Sequence, residues 1–152
     1  MELFLVRHGE SKPGIPDPDR NLSEVGIQQV KSFSKAYSSV ISGVDAIYCS
    51  PYKRAKQTAS LIIDGLASKN GHEINWNDDL MPSGNVLSLI AFLGNEAKQR
   101  ILFVSHMPIL GSLVDYLTGE ERTFFNTASV ASLSMDYPER SMASLNWINN
   151  VT

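Results

Sequence analysis

Cysteine is nearly absent: Cys49 is the single thiol among 152 residues. That excludes an internal disulfide framework and fits a reducing compartment, so the expected location is cytoplasmic. Charge of one sign is not in excess either, since 13 basic residues stand against 16 acidic ones for a net charge of −3. A general nucleic-acid binder or a membrane-surface protein would be basic, so neither kind of partner is expected. No apolar run nears the roughly 20 residues of a membrane span, and no positive region leads a signal-like apolar stretch at the N-terminus. Repeats, low-complexity tracts and charge blocks are missing as well. With nothing to mark a boundary, residues 1–152 read as one domain with room for one real core.

What is present concentrates at the start of the chain. Leu3-Phe4-Leu5-Val6 runs straight into Arg7-His8-Gly9-Glu10. A short unbroken apolar run reads as a strand buried on both faces. Arg7 and His8 then stand at its carboxyl end, where open α/β sheets place their ligand crevice. Arginine offers a planar fork of donors, and histidine can be a neutral nucleophile near pH 7, so the pair suits a phosphate group. Gly9 lets the backbone bend and approach a bound anion.

Two other stretches repeat that design. Residues 45–49 read as a second strand, followed by Ser50-Pro51-Tyr52-Lys53-Arg54. Ser50 suits an N-cap and Pro51 the first helical position, which puts Arg54 in the first turn of a helix with Ala55, Ala59, Ile62, Ile63 and Leu66 on its apolar face. An arginine there opposes the macrodipole and makes sense beside an anion. Residues 100–105 form another apolar strand, ending at His106 ahead of Pro108 and a helix bearing Ile109, Leu110, Leu113, Val114 and Leu117.

The connecting segments complete the pattern. Residues 11–22 carry Pro13, Pro16 and Pro18 and read as a surface loop on the rim of the site. Ser23 caps a helix with Val25, Val30, Phe33, Tyr37, Val40 and Ile41 at helical spacing. Residues 74–76 make a short strand, and 78–85 make a second rim loop ahead of a helix with Val86, Leu89, Ile90 and Leu93. His72 reads as an exposed loop histidine. Alternation on either side of Pro138-Glu139-Arg140 predicts a terminal antiparallel hairpin. The expected fold is therefore α/β: helices on both faces of a mostly parallel, mixed sheet of about six strands ending in that hairpin. In a parallel sheet, Arg7, His8, Arg54 and His106 share one edge, supplying donors for a phosphoryl group and a nucleophile.

At these residues the chain resembles the histidine phosphatase superfamily, the phosphoglycerate mutase-like proteins. Arg7-His8-Gly9-Glu10 is similar to the family signature, and Leu22-Ser23-Glu24-Val25-Gly26 to its Leu-Ser/Thr-x-x-Gly segment. Ser50-Pro51-Tyr52-Lys53-Arg54-Ala55-Lys56-Gln57-Thr58 is similar to its Ser-Pro-x-x-Arg-Ala-x-Gln-Thr helix start, and Val104-Ser105-His106 with Pro108 to its second-histidine motif. The compact length, with no helical cap, and Leu80-x-Pro82-x-Gly84 resemble the bacterial phosphohistidine phosphatases of the SixA type.

That resemblance implies a cytoplasmic phosphatase in which His8 forms a phosphohistidine intermediate while Arg7, Arg54 and His106 hold the phosphoryl oxygens. It implies no metal and no cofactor, phosphate as product, and a monomer acting on a phosphohistidine-bearing protein, such as a phosphotransfer domain in signal transduction. Larger relatives use a glutamate as general acid, and this chain has no clear match for it. Asp79 is the nearest candidate, and Asn85 stands where SixA-like chains often have an acid. A general small-molecule or sugar phosphomonoesterase and a non-catalytic phospho-ligand binding module are the alternatives. A cysteine-dependent phosphatase would need five residues between Cys49 and Arg54, and the chain has four.

Overall fold

The computed structural model describes residues 1–66 and 72–150. Its element order is β1 (Glu2–Arg7), α1 (Glu24–Ala36), α2 (Ser38–Ile41), β2 (Ala46–Cys49), α3 (Lys53–Asp64), β3 (Ile74–Trp76), α4 (Val86–Gly94), β4 (Arg100–Ser105), α5 (Ile109–Thr118), β5 (Val130–Ser134) and β6 (Ser144–Asn149). Single 3-10 turns lie at Asp17–Asp19 and Asp78–Leu80. The six strands form one sheet in the order β3-β2-β4-β1-β5-β6. The first four are parallel to one another, and β5 runs antiparallel to both β1 and β6. This is the expected mixed sheet with its terminal hairpin.

The apolar strands are buried on both faces, and the two-residue period sorts their side chains into two cores. Leu3, Leu5, Ile101, Phe103, Ala131 and Leu133 face one way and pack on Leu89 and Leu93 of α4 and on Leu110, Leu113 and Leu117 of α5. Phe4, Val6, Leu102, Val104, Ile47 and Cys49 face the other way, against Val30 and Phe33 of α1 and Ala55, Ala59 and Ile62 of α3. The result is three layers, α/β/α, with the central strands β4 and β1 most deeply enclosed.

Local signals set the helix ends. Ser23 Oγ accepts from Gly26 N to cap α1, Asn85 Oδ1 accepts from Ser88 N to cap α4, and Gly119 closes α5 in the left-handed region at φ 81°. Three local expectations need correction. Val25 is 59% exposed rather than part of the buried stripe; five residues from Val30, it lies roughly 140° around the helix from the buried face. Helix α3 begins at Lys53 with Tyr52 as N-cap, so Ser50 does not cap it. His72 is half-buried, with both ring nitrogens out of solvent.

The register fixes what the sheet presents at its carboxyl edge. Arg7 pairs with Ser105, and Cys49 with Val104. Beyond the strands, His8 N donates to Ser105 O (3.0 Å) and Ser50 N to Val104 O (3.0 Å). The three chain segments carrying His8, Ser50 and His106 are therefore stitched together before any side chain contributes.

The packing predicts a contrast in stability. Phe103 is fully buried and meets Tyr48 edge-on at 6.1 Å between ring centroids. Phe103→Ala is expected to lower the unfolding free energy by about 3–5 kcal/mol, whereas Val25→Ala should stay within about 0.5 kcal/mol. Urea titration of the two variants against wild type measures both.

Candidate active site

A cavity of ≈ 350 Å³ opens at this edge, lined by Arg7, His8, Glu10, Ser11, Asp17, Arg20, Arg54, Pro82, His106, Met107 and Thr127. The four side chains expected to converge do so. His8 and His106 face each other with ring centroids 4.8 Å apart. Arg54 Nε donates to His8 Nε2 (3.3 Å). Arg7 anchors itself by donating from Nη1 to Phe125 O (2.6 Å). All but Arg7 are nearly out of solvent, with His8 and Arg54 each 5% exposed and His106 1%.

The protonation of His8 follows from its contacts. Nδ1 lies 2.6 Å from Gly9 O. A carbonyl only accepts, so the proton sits on Nδ1 and Nε2 keeps its lone pair. Burial lowers the His8 pKa to about 4, the Gly9 contact opposes that, and Arg54, Arg7 and Arg20 add to the lowering. His106 is pushed down to about 2, first by burial and then by the charges of His8, Arg54 and Arg7. Both rings are neutral near pH 7. His106 Nε2 lies 2.8 Å from Ser50 Oγ, and among the described residues neither His106 Nδ1 nor Arg7 Nε has a partner, although both are buried. A hydroxyl donating to Nε2 leaves the proton on Nδ1, an unused donor.

Glycine 9 serves packing. A Cβ there would stand 2.7 Å from Gly26 O and 2.8 Å from Val30 Cγ2, and one on Gly26 would stand 2.0 Å from Glu10 O. The loop after β1 thus lies flat on the start of α1, with Gly9 N donating to Thr58 Oγ1 (3.1 Å). Gly9 is not among the residues lining the cavity; it reaches the site through the carbonyl that orients His8.

The expected acid positions fall elsewhere. Asp79 is half-buried, its amide donating to Asn77 Oδ1 (2.9 Å), and Asn85 is spent on capping α4. Neither lines the cavity, to which residues 78–85 contribute Pro82 alone. The carboxylates that do line it are Glu10 and Asp17. Asp17 Oδ2 meets Arg54 Nη2 at 3.3 Å, Asp17 O accepts from Arg54 Nη1 at 2.9 Å, and Asp17 Oδ1 accepts from Arg20 Nη1 at 3.0 Å. Arg20 ties the loop to itself through Lys12 O (2.8 Å) and Ser11 Oγ (2.9 Å). Asp17 and Arg20 are thus site residues that sequence reasoning did not single out, and Ser50, which reads as an N-cap, instead meets His106. The i, i+3 spacing of Asp17 and Arg20 was the available signal for the first two.

Comparison with known proteins agrees with this geometry. Residues 3–81 match the model of the histidine phosphatase superfamily (branch 1). The chain belongs to that superfamily. It is 29% identical over 152 residues to the phosphohistidine phosphatase SixA of Escherichia coli K12, covering 97% of this chain and 92% of that protein. It is 32% identical over 148 residues to the SixA homolog of Haemophilus influenzae, covering 90% and 89%. A solved structure of the protein histidine phosphatase SixA complexed with tungstate superposes with a TM-score of 0.88 at 27% identity, over 99% of this chain and 97% of that one. The superfamily makes the chain a phosphatase, a hydrolase. Among the described residues no cluster of three or more His, Cys, Asp or Glu is placed to hold a metal ion, and no helix is long and apolar enough to cross a membrane.

Two neutral, buried histidines predict a pH dependence of stability. Their folded pKa values lie below the ordinary 6.5, so between that value and about 4 the unfolded chain binds more protons. Stability is therefore complete above about pH 6.5 and falls as pH drops, by at most about 1.4 kcal/mol per pH unit for each histidine. The melting temperature of wild type should decline from pH 7 to pH 4.5, and that of His106→Gln should decline less steeply.

Proposed function

We propose that the protein removes phosphate from phosphohistidine on a partner protein, with His8 Nε2 carrying the phosphoryl group as a covalent intermediate. The observation that carries this reading is the fixed tautomer: Nδ1 bound to Gly9 O leaves the Nε2 lone pair in a cavity that also holds Arg7, Arg54 and His106. Attack by Nε2 forms the bond to phosphorus while the bond to the leaving group breaks on the opposite side. Arg54 and Arg7 neutralise the phosphoryl oxygens, and His106 Nδ1–H supplies a further donor. Water then attacks phosphorus, the P–N bond of phospho-His8 breaks, and phosphate leaves with the water's protons.

The substrate class is inferred from two things. Relatives at 29% and 32% identity are named phosphohistidine phosphatases. The rim, residues 11–22 and 78–85, is short, which leaves the mouth open to a protein surface such as a phosphotransfer domain of a signalling system. A buried thiol at Cys49, its pKa raised by burial, fits a reducing cytoplasm.

Wild type incubated with a labelled phosphohistidine protein should acquire an acid-labile, base-stable label that His8→Ala does not take up. Arg54→Ala should slow turnover roughly 10²–10³-fold, as loss of one transition-state donor does. The label is read on the isolated enzyme, and a phosphate-release panel of phosphohistidine protein, aryl phosphate and sugar phosphate measures turnover and preference. Full activity of His8→Ala, or a strong preference for the sugar phosphate, would overturn the reading.

A further inference from the structure

The half-exposed carboxylate of Asp17 lines the cavity, and neither family motif nor mechanism above uses it. We propose that Asp17 is a specificity-determining residue: its carboxylate selects substrates whose leaving group is a protonated imidazole and disfavours phosphate monoesters. The proposal rests on the phosphohistidine reading.

Geometry places it. His8 forms the floor, 5% exposed, while the Asp17 side chain is 50% exposed at the rim. In-line attack from His8 Nε2 drives the leaving group away from the floor and toward that rim. Asp17 is linked to His8 through a single side chain, since Arg54 gives Nη2 to Asp17 Oδ2 (3.3 Å) and Nε to His8 Nε2 (3.3 Å). Glu10, the other lining carboxylate, is tied to Ser23 Oγ through Oε2 (2.9 Å). When a phosphoryl group engages Arg54, Asp17 keeps Arg20 and gains a free flank toward the leaving group.

Charge counting gives the direction. The charged groups facing Asp17 across the cavity are Arg20 on its own loop, Arg54 on α3, and Arg7 and Glu10 beside β1, with His8 and His106 neutral. Three arginines against two carboxylates leave one positive charge in surplus. Hydrogen bonding to Arg20, and then to Arg54, holds the Asp17 carboxyl below its ordinary pKa, so it is an anion at pH 7 and not a proton donor. A phosphohistidine with a dianionic phosphoryl group and a protonated ring carries one net negative charge and brings the cavity to neutrality. A dianionic monoester overshoots it.

The chemistry then needs no acid. The substrate ring is protonated on the nitrogen that does not bear phosphorus. His8 Nε2 bonds to phosphorus, the substrate P–N bond breaks, and its electron pair returns to the departing ring, which leaves as neutral imidazole keeping that proton. His8 becomes the protonated phosphoimidazole, so charge is conserved. Asp17 raises the fraction of bound substrate in the protonated, cleavable form.

The test compares wild type, Asp17→Asn and Asp17→Glu on a phosphohistidine peptide and on para-nitrophenyl phosphate. Asp17→Asn should lower the ratio of kcat/KM for the two substrates roughly three- to tenfold and move the alkaline limb of the kcat–pH profile for the peptide down by about half a unit to one unit. Asp17→Glu should restore both. A loss from disturbing Arg54 affects both substrates and cancels in the ratio. If wild type cleaves the peptide but Asp17→Asn leaves the ratio and the alkaline limb unchanged, the proposal is wrong while the phosphohistidine reading stands. If wild type does not cleave the peptide, that reading fails and takes the proposal with it.

Discussion

The parallel pairing of β1 with β4, and of β4 with β2, governs everything polar in this molecule. Arg7 lies opposite Ser105, so His8 and His106 leave the sheet side by side. Their backbones are joined by the His8 N to Ser105 O bond. A one-residue slip of β4 would turn Leu102 and Val104 toward the α4/α5 core and carry His106 away from His8. Packing opposes that slip, because alternate side chains of β1 and β4 are fitted against α4 and α5 on one face and against α1 and α3 on the other. Site geometry is in this sense a by-product of hydrophobic packing, and it is as rigid as the packing.

On that frame the electrostatics are self-consistent. Arginines crowd the pocket, and the two buried histidines in it stay neutral. Neutrality gives His8 its lone pair and leaves room for the anion that the arginines need. Among the described residues only carboxylates of the 10–17 stretch moderate the positive field in the cavity. One of them, Asp17, holds Arg54 by both a side-chain and a main-chain oxygen, so the loop aims the arginine while its mouth stays open.

The sequence disclosed the strands and the four converging side chains because both obey local rules. An apolar run that stops at a charged residue marks a strand end, and Arg54 follows its strand at a helix start. The turn geometry was not so readable. Asp17 lies among Pro16, Pro18 and Asp19, where no periodicity says which side chain points inward; tertiary contacts to Arg54 and Arg20 decide it. Asp79 is the nearest candidate acid by position and Asn85 stands where related chains often have one, but the Asp79 amide donates to Asn77 Oδ1 and the Asn85 side chain accepts from Ser88 N, both away from the cavity. In the sequence Gly9 reads as a device for approaching an anion. Its constraint comes instead from the backbone of α1, which only the folded chain brings near.

Ser50 shows why local rules failed where they did. Serine before proline is a strong N-cap signal, yet α3 starts beyond it and has no side-chain cap; Ser50 Oγ accepts from Tyr52 N (3.2 Å) and meets His106 Nε2. Helix α5, next to His106, also lacks a side-chain cap, while α1 and α4, whose N-termini do not carry these residues, are capped by Ser23 and Asn85. A missing cap costs about 0.5–2 kcal/mol, and Arg54 in the first turn of α3 adds an unfavourable charge. Both helix starts that border the cavity thus lack a side-chain cap, as does the single-turn α2 away from it. Polar groups at the cavity are committed to the histidine and the anion, and the stability they forgo is supplied by the two cores beneath.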